Sequence, residues 1–380
     1  MPTSDSNIPF NRQASLPGSL EHVVQSIQRG HCSGDGPYTK KCEKLLEETL
    51  GVPRLLLTTS CTHALEMAAL LLDVGPGDEV IVPSFTFVST ANAFALRGAT
   101  IRFCDIRSDT LNLNPERLEE MMTSRTRAVV PVHYGGVGCE MEAIGAIARR
   151  FGTAVVEDNA HGLFGKLNGR WLGTFGSLAT QSFHETKNFS CGEGGALIIN
   201  DERLIERAEV IREKGTNRSR FFRGEIDKYS WVDLGSSYVV SDVLAALLYG
   251  QLDERDKILA KRKEIWNRYF SGLKDWADRI GAELPHVPKD CEQGFHLFYM
   301  IMPTLELRQR LIEFLKQKGV AAVFHYVPLH LSEFASRWGS EKADCPVSSN
   351  VSDRLIRLPF YYNLSESELN RVISAVQEFG

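Results

Sequence analysis

The sequence predicts an α/β fold, with a mostly parallel central sheet flanked by helices and a smaller α+β C-terminal domain, and three observations carry that expectation. From Arg54 onward, short apolar or β-branched runs alternate with segments of helical period. The intervals between those runs are mostly long enough for crossover helices, as parallel neighbours in a doubly wound sheet require. Beyond the loop marked by Pro285 and Pro288, the pattern changes to two strand candidates set among helices. A chain of 380 residues can bury a large core and divide into two lobes.

Residues 1–37 read as an arm with one short helix around Leu20 to Arg29, ended by Gly34-Asp35-Gly36-Pro37. A disordered lead-in is the other reading of the first ten. Residues 38–254 form the expected large domain. Helical spacing runs from Tyr38 to Leu50, a strand follows at Leu55 to Leu57, and Leu65, Ala68, Ala69 and Leu72 then fall on one helix face. Further strands are expected at Glu79 to Val82, Thr100 to Asp105, Ala128 to His133, Ala154 to Glu157, Thr180 to Phe183 and Ala196 to Asn200. Val240 to Leu252 and Lys257 to Lys274 are helical in pattern, the second long enough to bridge lobes. The small domain, residues 255–380, then offers a strand at Phe295 to Met302, a helix at Leu305 to Lys318 closed by Gly319, and a strand at Val320 to Phe324. Ser365 and Glu368 have the spacing of a capping box that opens the last helix.

Composition excludes several functions. With 43 basic and 48 acidic residues, net charge −5, the chain has no broad basic field for nucleic acid. Eight cysteines without a Cys-x-x-Cys pair point to a reducing, cytoplasmic setting and away from a structural zinc or other metal site. Met1 to Asn11 has no secretory pattern, and no run approaches the length of a membrane span.

The chemistry concentrates in Ser182-Phe183-His184-Glu185-Thr186-Lys187-Asn188, which is followed by a glycine-rich turn through Gly192, Gly194 and Gly195. Lys187 lies between two apolar strand runs, so its amine is expected near the sheet. Desolvation disfavours a charged amine and leaves a nucleophile able to condense with an aldehyde, the use of lysine in pyridoxal phosphate enzymes. That cofactor needs a carboxylate at its ring nitrogen. Asp158 ends the run Ala154 to Glu157 at a strand's carboxyl end, where open α/β sheets place ligands. Neighbouring strand residues face opposite sides, so Glu157 is expected to point away. Asn188 reads as a turn residue. Strand Leu55 to Thr59 runs through Ser60-Cys61-Thr62 into a helix, which suits an anion by geometry, although helix capping by Thr62 is the plainer reading of these residues alone. Phe87 fits either ring stacking or ordinary core packing.

Cys61-Thr62, Pro83-Ser84-Phe85-Thr86-Phe87, Val156-Glu157-Asp158 and the Ser182–Asn188 stretch resemble the nucleotide-sugar aminotransferases of the DegT/DnrJ/EryC1/StrS family. The resemblance extends from Ile8-Pro9-Phe10 to about residue 363. His184-Glu185-Thr186-Lys187, Glu213-Lys214-Gly215-Thr216-Asn217-Arg218 and Phe324-His325-Tyr326-Val327-Pro328-Leu329-His330 are most similar to the branch that makes dTDP-4-amino-4,6-dideoxygalactose.

The resemblance implies a fold-type I pyridoxal 5'-phosphate transferase, aspartate aminotransferase-like and homodimeric. It would move an amino group from L-glutamate to the 4-keto carbon of a dTDP-4-keto-6-deoxyhexose, for cell-surface polysaccharide. A 3-keto sugar or another nucleotide is the alternative within the family, and a non-catalytic binding protein on the same fold the alternative outside it. By the same resemblance Cys61, Thr62 and Ser182 bind phosphate, Phe87 stacks on the ring, and Asp158 pairs with the ring nitrogen. His161 bonds the ring hydroxyl or covers the ring, and Lys187 is anchor and proton shuttle. Cys61 replaces a glycine common among relatives, and His161 a frequent glutamine. Substrate candidates are His184, Lys214, Arg218, His325 and Tyr326, with Ser237 and Tyr238 reaching across from a partner subunit. By residue type alone, the run Lys214 to Arg223 reads as a solvated basic face, the usual state of a charge run.

Overall fold

A computed structural model describes residues 7–14, 16–337 and 343–380; part of the expected arm, residues 1–6 and 15, lies outside them. Proline opens both α1 (Pro17–Gln28) and α2 (Pro37–Leu50), at a position where its missing N–H has no helical partner to lose. Strand and helix then alternate through β1 (Arg54–Thr58), α3 (Cys61–Leu71), β2 (Glu79–Pro83), α4 (Val88–Ala95), β3 (Thr100–Cys104), α5 (Pro115–Met121), β4 (Thr126–Val129), α6 (Met141–Phe151) and β5 (Ala154–Asp158). A small hairpin, β6 (Lys166–Leu167) and β7 (Arg170–Trp171), precedes β8 (Leu178–Ser182) and β9 (Gly195–Ile199). Helices α7 (Ile205–Arg212), α8 (Arg218–Phe222), α9 (Asp242–Asp253) and α10 (Arg255–Ile280) follow. The C-terminal lobe adds β10 (Cys291–Glu292), β11 (Tyr299–Ile301), α11 (Leu305–Gln317), α12 (Glu333–Arg337), α13 (Pro346–Arg354), β12 (Leu355–Arg357) and α14 (Glu366–Gln377).

All seven strands expected in the large lobe form one sheet, ordered β1-β9-β8-β5-β4-β2-β3. Only β9 is reversed, antiparallel to both β1 and β8. The inner strands read as unbroken apolar runs because helices cover both faces. One layer buries Leu56, Leu65, Ala68, Val82, Val156 and Leu197; the other buries Leu46, Leu55, Leu57, Ala196, Ile198 and Ala246. Helix α10 bridges the lobes as expected: Ile258 packs with α2 and α9, while Ile265, Tyr269, Leu273 and Trp276 enter the C-terminal core with Phe298, Met300 and Leu311.

Three strand expectations are corrected. The run Ala128 to His133 leaves the sheet after Val129, because Pro131 has no N–H for the ladder, and rejoins β5 only at a Val132–Asp158 bridge. Phe295 to Met302 narrows to β11, since Phe295 is in the left-handed region at φ 49°. Val320 to Phe324 makes single bridges, to Ile8 and to Arg357, instead of a strand. Its neighbour β12 is only three residues long and is followed by Pro359, so no ladder can propagate. The capping box of α14 is present, with Ser365 and Glu368 each bonding the other's backbone N–H. Among the described residues no helix is long and apolar enough to cross a membrane, and no cluster of ligating side chains could hold a metal.

Candidate active site

The site forms where β5, β8 and the first turn of α3 end side by side. Register pairs Asp158 with Thr180, and Gly195 with both Thr58 and Ser182. A Cβ at Gly195 would lie 2.3 Å from the backbone N of Cys61, so only glycine lets β9 approach the helix start this closely. The cap of α3 is Ser60, whose Oγ accepts from His63 N at 3.1 Å. Thr62 therefore does not cap; its hydroxyl bonds Ser89 Oγ at 2.8 Å. The N–H groups of Cys61 and Thr62 have no acceptor within the helix, and with the hydroxyls of Thr62 and Ser182 they make a neutral corner whose donors suit an anion. Cys61 Sγ sits 3.5 Å from Thr180 Oγ1, and burial pushes its thiol up, so it adds no charge there.

Asp158 is buried with Oδ2 accepting from Thr90 Oγ1 at 2.8 Å and Oδ1 from Ala160 N at 3.2 Å. Burial raises its pKa above the ordinary carboxylate value, against the pull of those donors and of Lys187. A cation facing it would relieve that cost. Glu157 points to the opposite face, as expected, and accepts from Gly173, Phe175 and Gly176 N–H at 2.9, 2.6 and 2.7 Å and meets His133 Nε2 at 2.9 Å.

Lys187 stands on a loop pinned at its base by Phe183 N to Gly194 O (2.8 Å) and Glu185 N to Gly192 O (2.9 Å). Burial lowers the amine from 10.5 to about 8, with Cys61 and Asp158 opposing the shift and Arg357 adding to it. Asn188 is more than a turn residue. Its amide donates to Gly294 O at 2.6 Å and its oxygen meets His296 Nδ1 at 3.0 Å. The His296 ring stacks on His161 at 4.2 Å, and His325 lies nearly parallel to His161 at 6.3 Å. Burial holds all three imidazoles well below their ordinary pKa, so the stack is uncharged at neutral pH.

Thr62, Phe87, Asp158, His161, Ser182, His184, Lys187, His325 and Tyr326 line one cavity of about 700 Å³. Phe87 and His184 stand at its more exposed rim, and Phe87 lies 6.3 Å from Tyr326. The Tyr134 hydroxyl is 2.9 Å from His325 Nδ1 and fixes that ring. Lys214, Arg218, Ser237 and Tyr238 lie outside this cavity. Lys214 pairs with Glu213 at 3.3 Å, Arg218 covers Phe222 at 4.9 Å, Ser237 bridges to Glu213, and Tyr238 packs edge-on against His63. Arg220 and Arg223 are ion-paired with Glu206, Glu209 and Glu225, which leaves the basic run largely neutralised. His330 is held by Ser84 Oγ at 2.5 Å, away from the cavity.

Sequence reasoning missed Thr90, Tyr134, His296 and Arg357. Thr90 had a local signal, its position one helical turn after Thr86, to which it is bonded at 2.8 Å. His296 stood out only as a polar residue in an apolar run, and Tyr134 and Arg357 had no local signal.

An amine (Lys187), a carboxylate (Asp158) and a neutral corner with the hydroxyls of Thr62 and Ser182 share this cavity, a donor set that fits pyridoxal phosphate. A family model described as the DegT/DnrJ/EryC1/StrS aminotransferase family matches residues 17–377. The chain is 33% identical to the spore coat polysaccharide biosynthesis protein SpsC of Bacillus subtilis, over 98% of this chain and 96% of that one. Among solved structures, the aminotransferase TlmJ of Streptoalloteichus hindustanus superposes with TM-score 0.89 at 31% identity, covering 97% and 98% of the two chains. Spr1654 of Streptococcus pneumoniae, a candidate sugar aminotransferase, superposes in its PLP-form with TM-score 0.89 at 27% identity, covering 98% of each chain.

Proposed function

The chain belongs to the DegT/DnrJ/EryC1/StrS family and is a pyridoxal phosphate-dependent sugar aminotransferase, and from that premise we propose its substrates: L-glutamate as donor and a dTDP-4-keto-6-deoxyhexose as acceptor, giving dTDP-4-amino-4,6-dideoxygalactose. The observation that carries the reading is Lys187 and Asp158 facing one cavity beside the start of α3. The acceptor is supported by the motif resemblance around His184, Glu213 and Phe324, and by a rim of exposed aromatic rings suited to a nucleotide base. SpsC, a polysaccharide biosynthesis protein, fits a role in deoxyamino sugar supply for the cell surface.

Bound pyridoxal phosphate supplies an aldehyde for the amine and a protonated ring that draws electrons from the carbon being deprotonated. The N–H groups of Cys61 and Thr62 and the hydroxyls of Thr62 and Ser182 bind the phosphate, where a helix N-terminus favours negative charge. Asp158 holds the proton at the ring nitrogen, and Thr90 fixes the carboxylate's orientation. His161, uncharged and backed by His296, would cover the ring or bond its hydroxyl, and Phe87 would close it from the rim. The Lys187 amine, near pKa 8, takes the proton from the donor's Cα and returns one to sugar C4, since a base poised close to neutral can do both.

The active unit is a homodimer, by family resemblance and because Phe222, Tyr229, Trp231, Val232 and Leu234 leave an apolar surface exposed on one stretch of chain. Its setting is the cytoplasm, consistent with eight free thiols. Incubation of the holoenzyme with L-glutamate and a panel of 3-keto and 4-keto nucleotide sugars, read by mass and NMR, tests the assignment. Amination at C4 of the dTDP sugar with galacto configuration is the expected result; turnover confined to a 3-keto sugar or another nucleotide refutes it.

A further inference from the structure

We propose that a second cavity of this chain, of about 530 Å³, binds a nucleoside diphosphate and regulates the reaction at Lys187. It lies between α10 and the β6–β7 hairpin and shares no lining residue with the cavity around Lys187. Aromatic rings form both walls. Phe164 and Trp171 meet edge-on at 6.1 Å on the hairpin side, and Trp266 and Phe295 meet edge-on at 6.1 Å on the α10 side. Phe164 and Phe295 are also the two aromatic residues held in the left-handed region among the described residues, at φ 62° and 49°. A bulky side chain rarely adopts that conformation, and such strain gathers at ligand clamps and switch segments. Both strained residues line this one cavity.

The cations of the lining decide the ligand. Lys166 is committed to Glu292 at 3.8 Å and to the face of Trp171 at 4.3 Å. Arg255 and Lys263, both on α10, have no carboxylate partner among the described residues, and Asp256 is the one lining carboxylate left against them. Their separation in sequence places them about 12 Å apart along the helix axis. A single carboxylate meets one of them, whereas the linked phosphates of a diphosphate offer oxygens to both long side chains. A flat base then suits the ring-lined walls.

Residues 291–296 join this cavity to the active site. Cys291, Gln293 and Phe295 line it, while Gly294 O accepts from the Asn188 amide at 2.6 Å and His296 stacks on His161 at 4.2 Å. Arg262 donates to the carbonyls of Phe295 and His296 at 2.8 and 2.6 Å, which ties the segment to the helix that carries Arg255 and Lys263. A ligand that favours one placement of Phe295 therefore selects a placement of His296 and of the ring stacked on it.

The test uses the holoenzyme and 5-azido-dUDP, a photoreactive analogue of dTDP. Peptides carrying Phe164 to Trp171 or Arg255 to Asn267 should be labelled, and dTDP should protect them at roughly tenfold lower concentration than thymidine or pyrophosphate alone. Lys263 is exposed, so Lys263→Glu should fold and keep its basal rate while losing affinity for this label by roughly tenfold or more. Lys263→Arg should retain the label. In the wild type dTDP should also change the rate at which L-glutamate alone converts the cofactor, and Lys263→Glu should lessen that response. Labelling confined to the Lys187 cavity, equal protection by thymidine or by pyrophosphate, or the same response to dTDP in both proteins would overturn the proposal. Labelling here by an enzyme that does not aminate the dTDP sugar would support the proposal and sink the acceptor assignment alone.

Discussion

At the scale of single residues, the proposed chemistry depends on an amine and a carboxylate shifted toward neutrality by the same burial. Lys187 falls from 10.5 to about 8 in the fold, so between those values the folded lysine is neutral while the unfolded one is charged. The unfolded state then binds more protons, and the stability of the cofactor-free protein should rise with pH across that window. Labelling of the Lys187 peptide by an amine reagent in cofactor-free protein should titrate with a midpoint near 8; a midpoint at the ordinary lysine value would mean that the amine is solvated. Lys187→Arg should fold and lose all turnover, because arginine stays protonated and cannot condense with an aldehyde. Turnover above trace levels at saturating cofactor would remove Lys187 from its role. Asp158→Asn should retain cofactor yet lose most of the rate, since an amide cannot hold the ring-nitrogen proton. Single-turnover kinetics with glutamate would reveal the loss, and wild-type rates would assign the proton to another acid.

At the scale of elements, two adjacent residues on β5 divide the labour. Asp158 faces the cavity, while Glu157 ties β5 to the Gly173–Gly176 turn through three backbone N–H groups. Glu157→Gln replaces one acceptor oxygen by a donor facing N–H groups. It is expected to cost about 3 kcal/mol or more, in line with breaking a buried charge network. A fall in the urea midpoint measures this, with cofactor-bound folded protein keeping its donor affinity. An unchanged midpoint would show that the turn holds β5 without the carboxylate. The alternation of the strand made this division legible in advance. The cap of α3 was not legible in the same way: Ser60 and Thr62 are both good caps by type, and only the backbone geometry selects Ser60.

At the scale of the whole molecule, the exposed stretch from Phe222 to Leu234 is the surface on which the proposed dimer depends. Trp231 is 77% exposed, and its ring has few neighbours to lose by substitution. Trp231→Asp should therefore leave the subunit fold intact and shift the protein toward monomer in sedimentation, with activity falling in parallel. A dimer that persists unchanged, or a fully active monomer, would move the interface elsewhere or remove the need for it.

The sequence by itself determined the strand-helix alternation, the order of phosphate corner, aspartate and lysine along the chain, and the resemblance that names the cofactor. These are local properties: hydrophobic period, turn residues and motif spacing act over a few residues. Only the tertiary structure decided which distant residues complete the site. His296 stacks directly on His161 and is held there by Asn188, and Arg357 reaches the cavity from a strand that begins after α13. It also set Lys214, Arg218, Ser237 and Tyr238 outside the cavity of their own chain. The order β1-β9-β8-β5-β4-β2-β3 differs from the order in the chain, so convergence on the ends of β5 and β8 is a long-range outcome that no window of sequence contains.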